Sequence, residues 1–317
     1  MSTPWYFSVV AFENKCQKLI LSTKLRILIL FVVGSMGISC SSDSNSPSAQ
    51  VDQEMAVPQR IVSLSGSITE TLFALGAGDR VVGIDVTSTF PREATKDIPT
   101  LGHVSNISLE ALLALKPDLV LYEQANANSP LIEQLKGSTV KHQALSADTD
   151  VESPIRVAKE TAELLQIPSK GDSLASAIQQ ALDQIKLPEV ASENNPRVLF
   201  IYTRGPGNMT IGGANTSADV IIKLAGGQNA ASNIDGFKPL STEGLVAAQP
   251  DYLLLFESGL ASVGGREELL KTPGMDQIPA STPDRVLSMD GLALLGFTPR
   301  LPETLQWLSQ QMHSQAD

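Results

Sequence analysis

Two stretches of this chain share one plan. Residues 108–121 (SLEALLALKPDLVL) and 241–255 (STEGLVAAQPDYLLL) carry Ser, Glu, Leu, Ala, Pro and Asp at the same offsets. In each, a Ser stands where its hydroxyl can cap a short amphipathic helix, a Pro stops that helix, and an apolar run follows as a strand. A helix and a strand of this kind each leave one apolar face to be covered. Used twice, the unit constrains the chain to two related α/β halves with sheets flanked by helices.

The surroundings of the two copies keep the same order. RIVSL (60–64) reads as a strand, SITETLFALGAG (67–78) as a helix closed by Gly76 and Gly78, and VVGI (81–84) and LVLY (119–122) as further strands. Later come RVLFIY (197–202) as a strand, TSADVIIKLAGG (216–227) as a helix and YLLLF (252–256) as a strand. Between the halves, Ser153 and Pro154 suit the N-cap and first position of a helix running to about Gln166. Pro168 breaks it, and DSLASAIQQALDQIKL (172–187) is the next helix before Pro188. A helix of about 16 residues spans about 24 Å, enough to tie two lobes side by side. The expected organisation is a Rossmann-like α/β lobe over 58–168, a single connecting helix over 169–188 and a second Rossmann-like lobe over 189–317. The loops 85–106 and 203–213 hold the polar and special residues, where ligand contacts concentrate on rigid sheets. If the lobes face each other, both loops line one cleft.

With 317 residues, 42% hydrophobic and 18% charged, the chain can bury a sizeable core, and its formal net charge of -11 disfavours nucleic acid and anionic membrane surfaces as partners. The N-terminal segment reads as an export signal over 1–40: Lys24 and Arg26 precede the apolar run 27–33, which relaxes into small residues before Cys40. That run is shorter than the ~20 residues needed to cross a bilayer. Gly37 and Ser39 before Cys40 resemble the lipobox of bacterial lipoproteins, although Leu is usual where Gly37 stands. The resemblance implies cleavage before Cys40, acylation of that residue and a membrane anchor, the alternative being an ordinary signal peptide. Cys16 would leave with the signal and no Cys follows Cys40, so the exported body is expected to hold no disulfide. Residues 41–57 are polar and Ser-rich and read as a flexible tether.

Several long blocks carry a more specific likeness: RIVSLSGSITETLFALGAGDRVVGIDVTSTFP (60–91), the Gly-led block 102–110, TSADVIIKLAGGQNAA (216–231), GFKPLSTEGLVAAQPD (236–251) and MDGLALLGFTPRLP (289–302). Together they resemble the haem-binding members of the helix-strut, or class III, periplasmic binding proteins, the cobalamin and siderophore type. The resemblance implies a transport receptor: exported, acting as a monomer, with haem as transported ligand and no cofactor as an enzyme. Its implied partners are an ABC permease dimer and the ATPase subunits. Corrinoids and ferric siderophores are the alternative ligands, because fold alone does not choose between them.

The resemblance also points to particular residues. His103 stands where the family commonly has a Tyr on the haem iron, and imidazole is likewise a good axial ligand. Ser105 replaces an Arg that often helps to hold the haem, and Phe237 stands where Tyr is frequent. Propionate binding is then left to Arg204, Lys238, Arg300 or the helix N-termini near Ser108 and Ser241. Met209 and Tyr202 are rivals for the second axial position, with simple packing the alternative for Met209. Glu70 and Asp219 correspond between the halves and are expected to dock the permease, facing outward while belonging to capping boxes begun by Ser67 and Thr216.

Other chemistries find less support. GPGNMTIGG (205–213) lacks the Lys of a phosphate loop, and no GxSxG or clustered His/Glu motif occurs. An exported haem-modifying or metal-chelating enzyme is the reading from a different class.

Overall fold

The computed structural model of the chain describes residues 56–186 and 195–313. The export signal, Cys40, the tether up to residue 55 and the expected end of the connecting helix lie outside the described residues.

The first sheet is wholly parallel, with strands β1 (Ile61–Ser63), β2 (Val81–Ile84), β3 (Leu119–Glu123) and β4 (Lys141–Leu145) in the order β2-β1-β3-β4. Helices α1 (Gly66–Ala74), α2 (Arg92–Thr95), α3 (Leu109–Ala114), α4 (Pro130–Lys136) and α5 (Ser153–Leu164) belong to this half. The central strands β1 and β3 are apolar without alternation because both faces are covered. Ile61 and Leu121 pack with Ile68, Leu72 and Val157 on one face, and Val62 and Val120 with Leu112 and Ile132 on the other.

The strut, α6 (Pro168–Gln184), has 17 residues, or about 25 Å of helix. It begins four residues before the expected segment, because Pro168 is not a breaker here but occupies the first turn, where its missing N–H has no partner to lose. Leu174 joins the core of the first half, and Leu182 and Ile185 that of the second. Gly171 lets α6 approach α5: a Cβ there would lie 2.4 Å from that of Ala162. Among the described residues no helix is long and apolar enough to cross a membrane.

The second sheet contains β5 (Arg197–Thr203), β6 (Met209–Gly212), β7 (Gln228–Asn229), β8 (Phe237–Pro239), β9 (Tyr252–Phe256) and β10 (Val286–Met289). Its order is β10-β9-β5-β6-β8 with β7 also on β5; β10, β9 and β5 run parallel, and β6 and β8 are antiparallel additions. Helices α7 (Ser217–Leu224), α8 (Thr242–Ala248), α9 (Glu257–Ser262), α10 (Arg266–Leu269), α11 (Gly291–Leu295) and α12 (Leu301–His313) cover it.

The sequence repeat is a structural repeat down to single hydrogen bonds. Ser108 and Ser241 cap α3 and α8 by accepting from the N–H of Ala111 and Gly244. Lys116 and Gln249, each just before the Pro, take positive φ of 49° and 40°. Asp118 then accepts from the N–H of Arg60 at 3.0 Å and Asp251 from that of Arg197 at 2.8 Å. Each of these arginines turns its guanidinium back onto carbonyls at the end of the repeated helix, Leu115 and Lys116 in one half and Ala248 in the other. The Pro therefore ends the helix, the Asp holds the start of the neighbouring strand, and that strand's Arg holds the helix carbonyls.

Candidate functional site

Parallel α/β sheets leave a crevice beyond the carboxyl ends of their strands. Here β1, β2 and β3 of the first sheet and β9 and β10 of the second contribute to one cavity of about 710 Å³, within the size range of small-molecule sites. The first half supplies Ser65, Asp85, Val86, Arg92 and Glu123 among others; the second supplies Phe256, Asp290, Leu292 and Leu295.

A hydroxyl network makes the deep end of the cavity. Asp85 accepts from the hydroxyls of Thr87 (2.6 Å) and Ser88 (2.7 Å) and from the N–H of Thr87 (3.2 Å), an Asx-type turn. Ser88 meets Thr69 at 2.7 Å, and Thr69 donates to Ser63 at 2.8 Å. Ser65 donates to Glu123 at 2.5 Å and contacts Ser67 at 2.9 Å. Burial pushes the Glu123 carboxyl above the usual carboxylate range, and the hydrogen bond from Ser65 only partly offsets this.

An ion pair crosses between the halves beside this cavity. Arg300 donates to both oxygens of Glu70, at 2.9 and 2.7 Å, stacks over Phe90 at 3.7 Å from the ring centre, and lies 3.5 Å from Asp290. Glu70 is 0% exposed. Burial pushes its carboxyl upward and the Arg300 hydrogen bonds pull it back. Burial also opposes the charge of Arg300, but the Glu70 carboxylate outweighs that and holds the guanidinium charged.

This geometry corrects the expectation for Glu70: it does not face outward but is enclosed and held by Arg300. It does not cap α1 with Ser67 either, since Ser65 is the N-cap residue and makes no side-chain cap. Asp219, 5% exposed, is enclosed too, accepting from Asn229 and pairing with Lys223, although Thr216 does cap α7 through the Asp219 N–H. Arg300, expected to meet a propionate, is already engaged. Asp219 sits in the first turn of α7 and Glu70 beyond the first turn of α1, and on both covered helices the inward face wins over the polar residue type.

The other expected residues fall into three places. His103 is exposed, and its Nδ1 meets Ser105 Oγ at 2.8 Å and accepts from the Ser105 N–H at 3.3 Å. The preceding Gly102 accepts through its carbonyl from the N–H of Val86, a wall residue of the cavity, so His103 sits next to the cavity's edge. Tyr202, Arg204 and Phe237 form an aromatic group: Arg204 stacks on Tyr202, Tyr202 meets the cavity residue Phe256 edge-on at 5.8 Å, and Phe200 joins Phe256 to Phe237. Lys238 is exposed on β8. Met209 packs against the core of the second half and lines a separate pocket of about 100 Å³ with Leu240 and Pro273. The loop 203–213 thus contributes nothing to the larger cavity, whereas the loop 85–106 lines much of it. The starts of α3 and α8 are capped by their own serines.

Asp85, Glu123, Asp290, Arg92 and Phe256 were not singled out from the sequence. Three of them share one signal: a carboxylate directly at the carboxyl end of an apolar parallel strand, as in VVGI-Asp85, LVLY-Glu123 and VLSM-Asp290. Among the described residues no three His, Cys, Asp or Glu side chains cluster as a metal site.

Comparison with known proteins agrees with this architecture. A solved structure of the periplasmic heme-binding protein RhuT from Roseiflexus sp. RS-1 superposes with a TM-score of 0.73 at 38% identity, covering 82% of this chain and 99% of that one. An ABC transporter substrate-binding lipoprotein of uncharacterised function from Bacillus subtilis (strain 168), YvrC, is 26% identical over 81% of this chain and 80% of its own. The vitamin B12-binding protein of Pectobacterium atrosepticum is 26% identical over 81% of this chain and 89% of its own. The family model described as periplasmic binding protein matches residues 61–292. With two half-molecules braced by one helix around a shared crevice, and a family match running from the first strand to the last lining helix, the chain belongs to the periplasmic binding protein family.

Proposed function

We propose that this protein is the receptor of an ABC importer that captures haem between its two halves and hands it to a membrane permease. The observation that carries the reading is a cavity of about 710 Å³ at the strand ends of both sheets, with an exposed imidazole, His103, on the loop that forms its edge. Similarity to the heme-binding RhuT over nearly all of that chain supports haem as the ligand. His103 then serves as the axial ligand of the iron, oriented by Ser105. Phe256, Leu292 and Leu295 form the facing wall of the second half, and Tyr202, with Arg204 stacked on it, backs Phe256. The reading includes export and anchoring through an acylated Cys40, and it requires no turnover of the ligand.

Delivery needs a surface on each half. Glu110 and Glu243 occupy equivalent positions in the repeat, stand in the first turns of α3 and α8, and are exposed. They replace the enclosed Glu70 and Asp219 as the carboxylates offered to the permease.

A corrinoid is the second reading, favoured by the likeness to the vitamin B12-binding protein. Titration of the purified protein with hemin, cobalamin and a ferric siderophore separates the readings. A saturable Soret shift with hemin alone is expected; retention of cobalamin with an unchanged hemin spectrum overturns haem as the ligand.

A further inference from the structure

The cavity between the halves changes character from floor to mouth. Its deepest polar residues are Ser65, Ser67, Asp85 and Ser88, at 2%, 5%, 3% and 4% exposure, with the half-buried Glu123 beside them. Their hydroxyl protons are already committed: Ser65 donates to Glu123, while Thr87 and Ser88 donate to Asp85. The side chains of the floor therefore present acceptors, two of them carboxylates, without a free hydroxyl donor. A ligand carboxylate arriving there would lose its water and face the carboxylates of Asp85 and Glu123.

The mouth is the reverse. Arg92 and Lys96 line the cavity and are exposed. Lys96 is shared with Glu93, but Arg92 forms no ion pair with another described residue. Between floor and mouth the walls are apolar: Val86 on one side, still 48% exposed, and Phe256, Leu292 and Leu295 on the other. A flat apolar body can lie between such walls.

From this layout we infer that the cavity selects a macrocycle whose carboxylates are confined to one edge, and that Arg92, assisted by Lys96, holds that edge at the mouth while the apolar edge enters first. This rests on the haem-receptor reading and adds to it a direction of entry and two contact residues. Haem meets the condition because both its propionates hang from one edge. A macrocycle with a carboxylate on every side does not, because one of them must face Asp85 and Glu123. Arg92 suits the task, since a guanidinium takes a carboxylate through two parallel hydrogen bonds.

The test is equilibrium titration of the purified full chain and its Arg92→Glu variant with three probes. These are hemin, hemin dimethyl ester, which has no free carboxylate, and iron coproporphyrin, which has a propionate on every pyrrole. Arg92→Glu is expected to weaken hemin by about tenfold or more and to leave the diester within about twofold. Lys96→Glu should act in the same direction to a smaller extent. The unaltered protein should bind iron coproporphyrin at least about tenfold more weakly than hemin. Equal losses for hemin and its diester, no loss for either, or coproporphyrin binding as tight as hemin would overturn the inference while leaving the receptor reading intact. Failure of the unaltered protein to take up hemin would instead overturn the receptor reading itself.

Discussion

Arg300 grips both carboxylate oxygens of Glu70 across a sequence separation of 230 residues, and this one pair ties the last helical segment of the second half to the first helix of the first. Because Glu70 is fully enclosed, the pair is worth little as a net attraction but much as a requirement: either charge alone would be stranded in a poorly solvated site. Arg300→Ala should lower unfolding stability by about 3–5 kcal/mol. The double variant Glu70→Leu/Arg300→Met should recover most of that loss, since two apolar side chains of similar volume leave no charge behind. Urea denaturation of the three proteins checks this; a double variant as unstable as Arg300→Ala would show that the packing around Phe90, not the charge pair, sets the cost.

Glu123 predicts a pH dependence. Burial raises its carboxyl in the folded protein, so the folded state binds this proton more tightly than the unfolded chain. Its contribution is therefore fully present below the unfolded value of about 4.3 and is lost as pH rises through the higher folded value. Glu123→Gln keeps an oxygen to accept from Ser65 and carries no charge. Relative to the unaltered protein, the variant should gain stability as pH rises from about 4.3 through the raised folded value. Chemical denaturation at a series of pH values measures the difference, and parallel curves for the two proteins would contradict it.

The sequence carried the plan of the fold more clearly than that of the site, for a physical reason visible in particular residues. Pro117 and Pro250 act locally, ending a helix just before an apolar strand, so their repeated spacing with Asp118 and Asp251 is readable in the sequence, although the bonds those aspartates accept from the distant starts of β1 and β5 are not. The strand runs 60–64, 119–122, 197–202 and 252–256 were equally plain because both faces are covered. Glu70 and Arg300 each looked available for an outside partner, since nothing local shows that a fold brings residues 230 positions apart into one ion pair. The cavity was hidden likewise: its walls come from five strand ends, and each end alone offers only a carboxylate after an apolar run. Pro168 misled for a local reason, being as acceptable in a first helical turn as it is disruptive later.

His103 and Ser105 give a spectroscopic prediction. A neutral imidazole on ferric haem favours a lower-spin iron than a phenolate would, and ligation through Nε2 moves the ring proton to Nδ1, which then donates to Ser105 Oγ, 2.8 Å away, in place of accepting from the Ser105 N–H. His103→Ala should abolish the hemin-bound Soret spectrum or change it strongly. Ser105→Ala should retain that spectrum while weakening hemin by about tenfold, as loss of an orienting hydrogen bond does. An unchanged spectrum in His103→Ala removes the residue from the iron.

Glu110 and Glu243 separate delivery from capture. Each is exposed on a first helical turn of the repeated unit, and neither lines the cavity. Reversing both charges, Glu110→Lys with Glu243→Lys, replaces favourable carboxylates near two helix N-termini and should cost about 1 kcal/mol of stability at most per site. Hemin affinity should stay within about twofold, because no contact to the ligand changes. Uptake in vesicles reconstituted with the permease and its ATPase subunits should nevertheless fall by about tenfold or more if each carboxylate meets a cationic pocket, since like charges then face each other across the contact. Charge reversal at Glu70 should behave differently, unfolding the protein rather than sparing capture, because a cation placed there would meet Arg300 in an enclosed site. Unimpaired uptake by the Glu110/Glu243 variant would move the delivery surface elsewhere on the two halves.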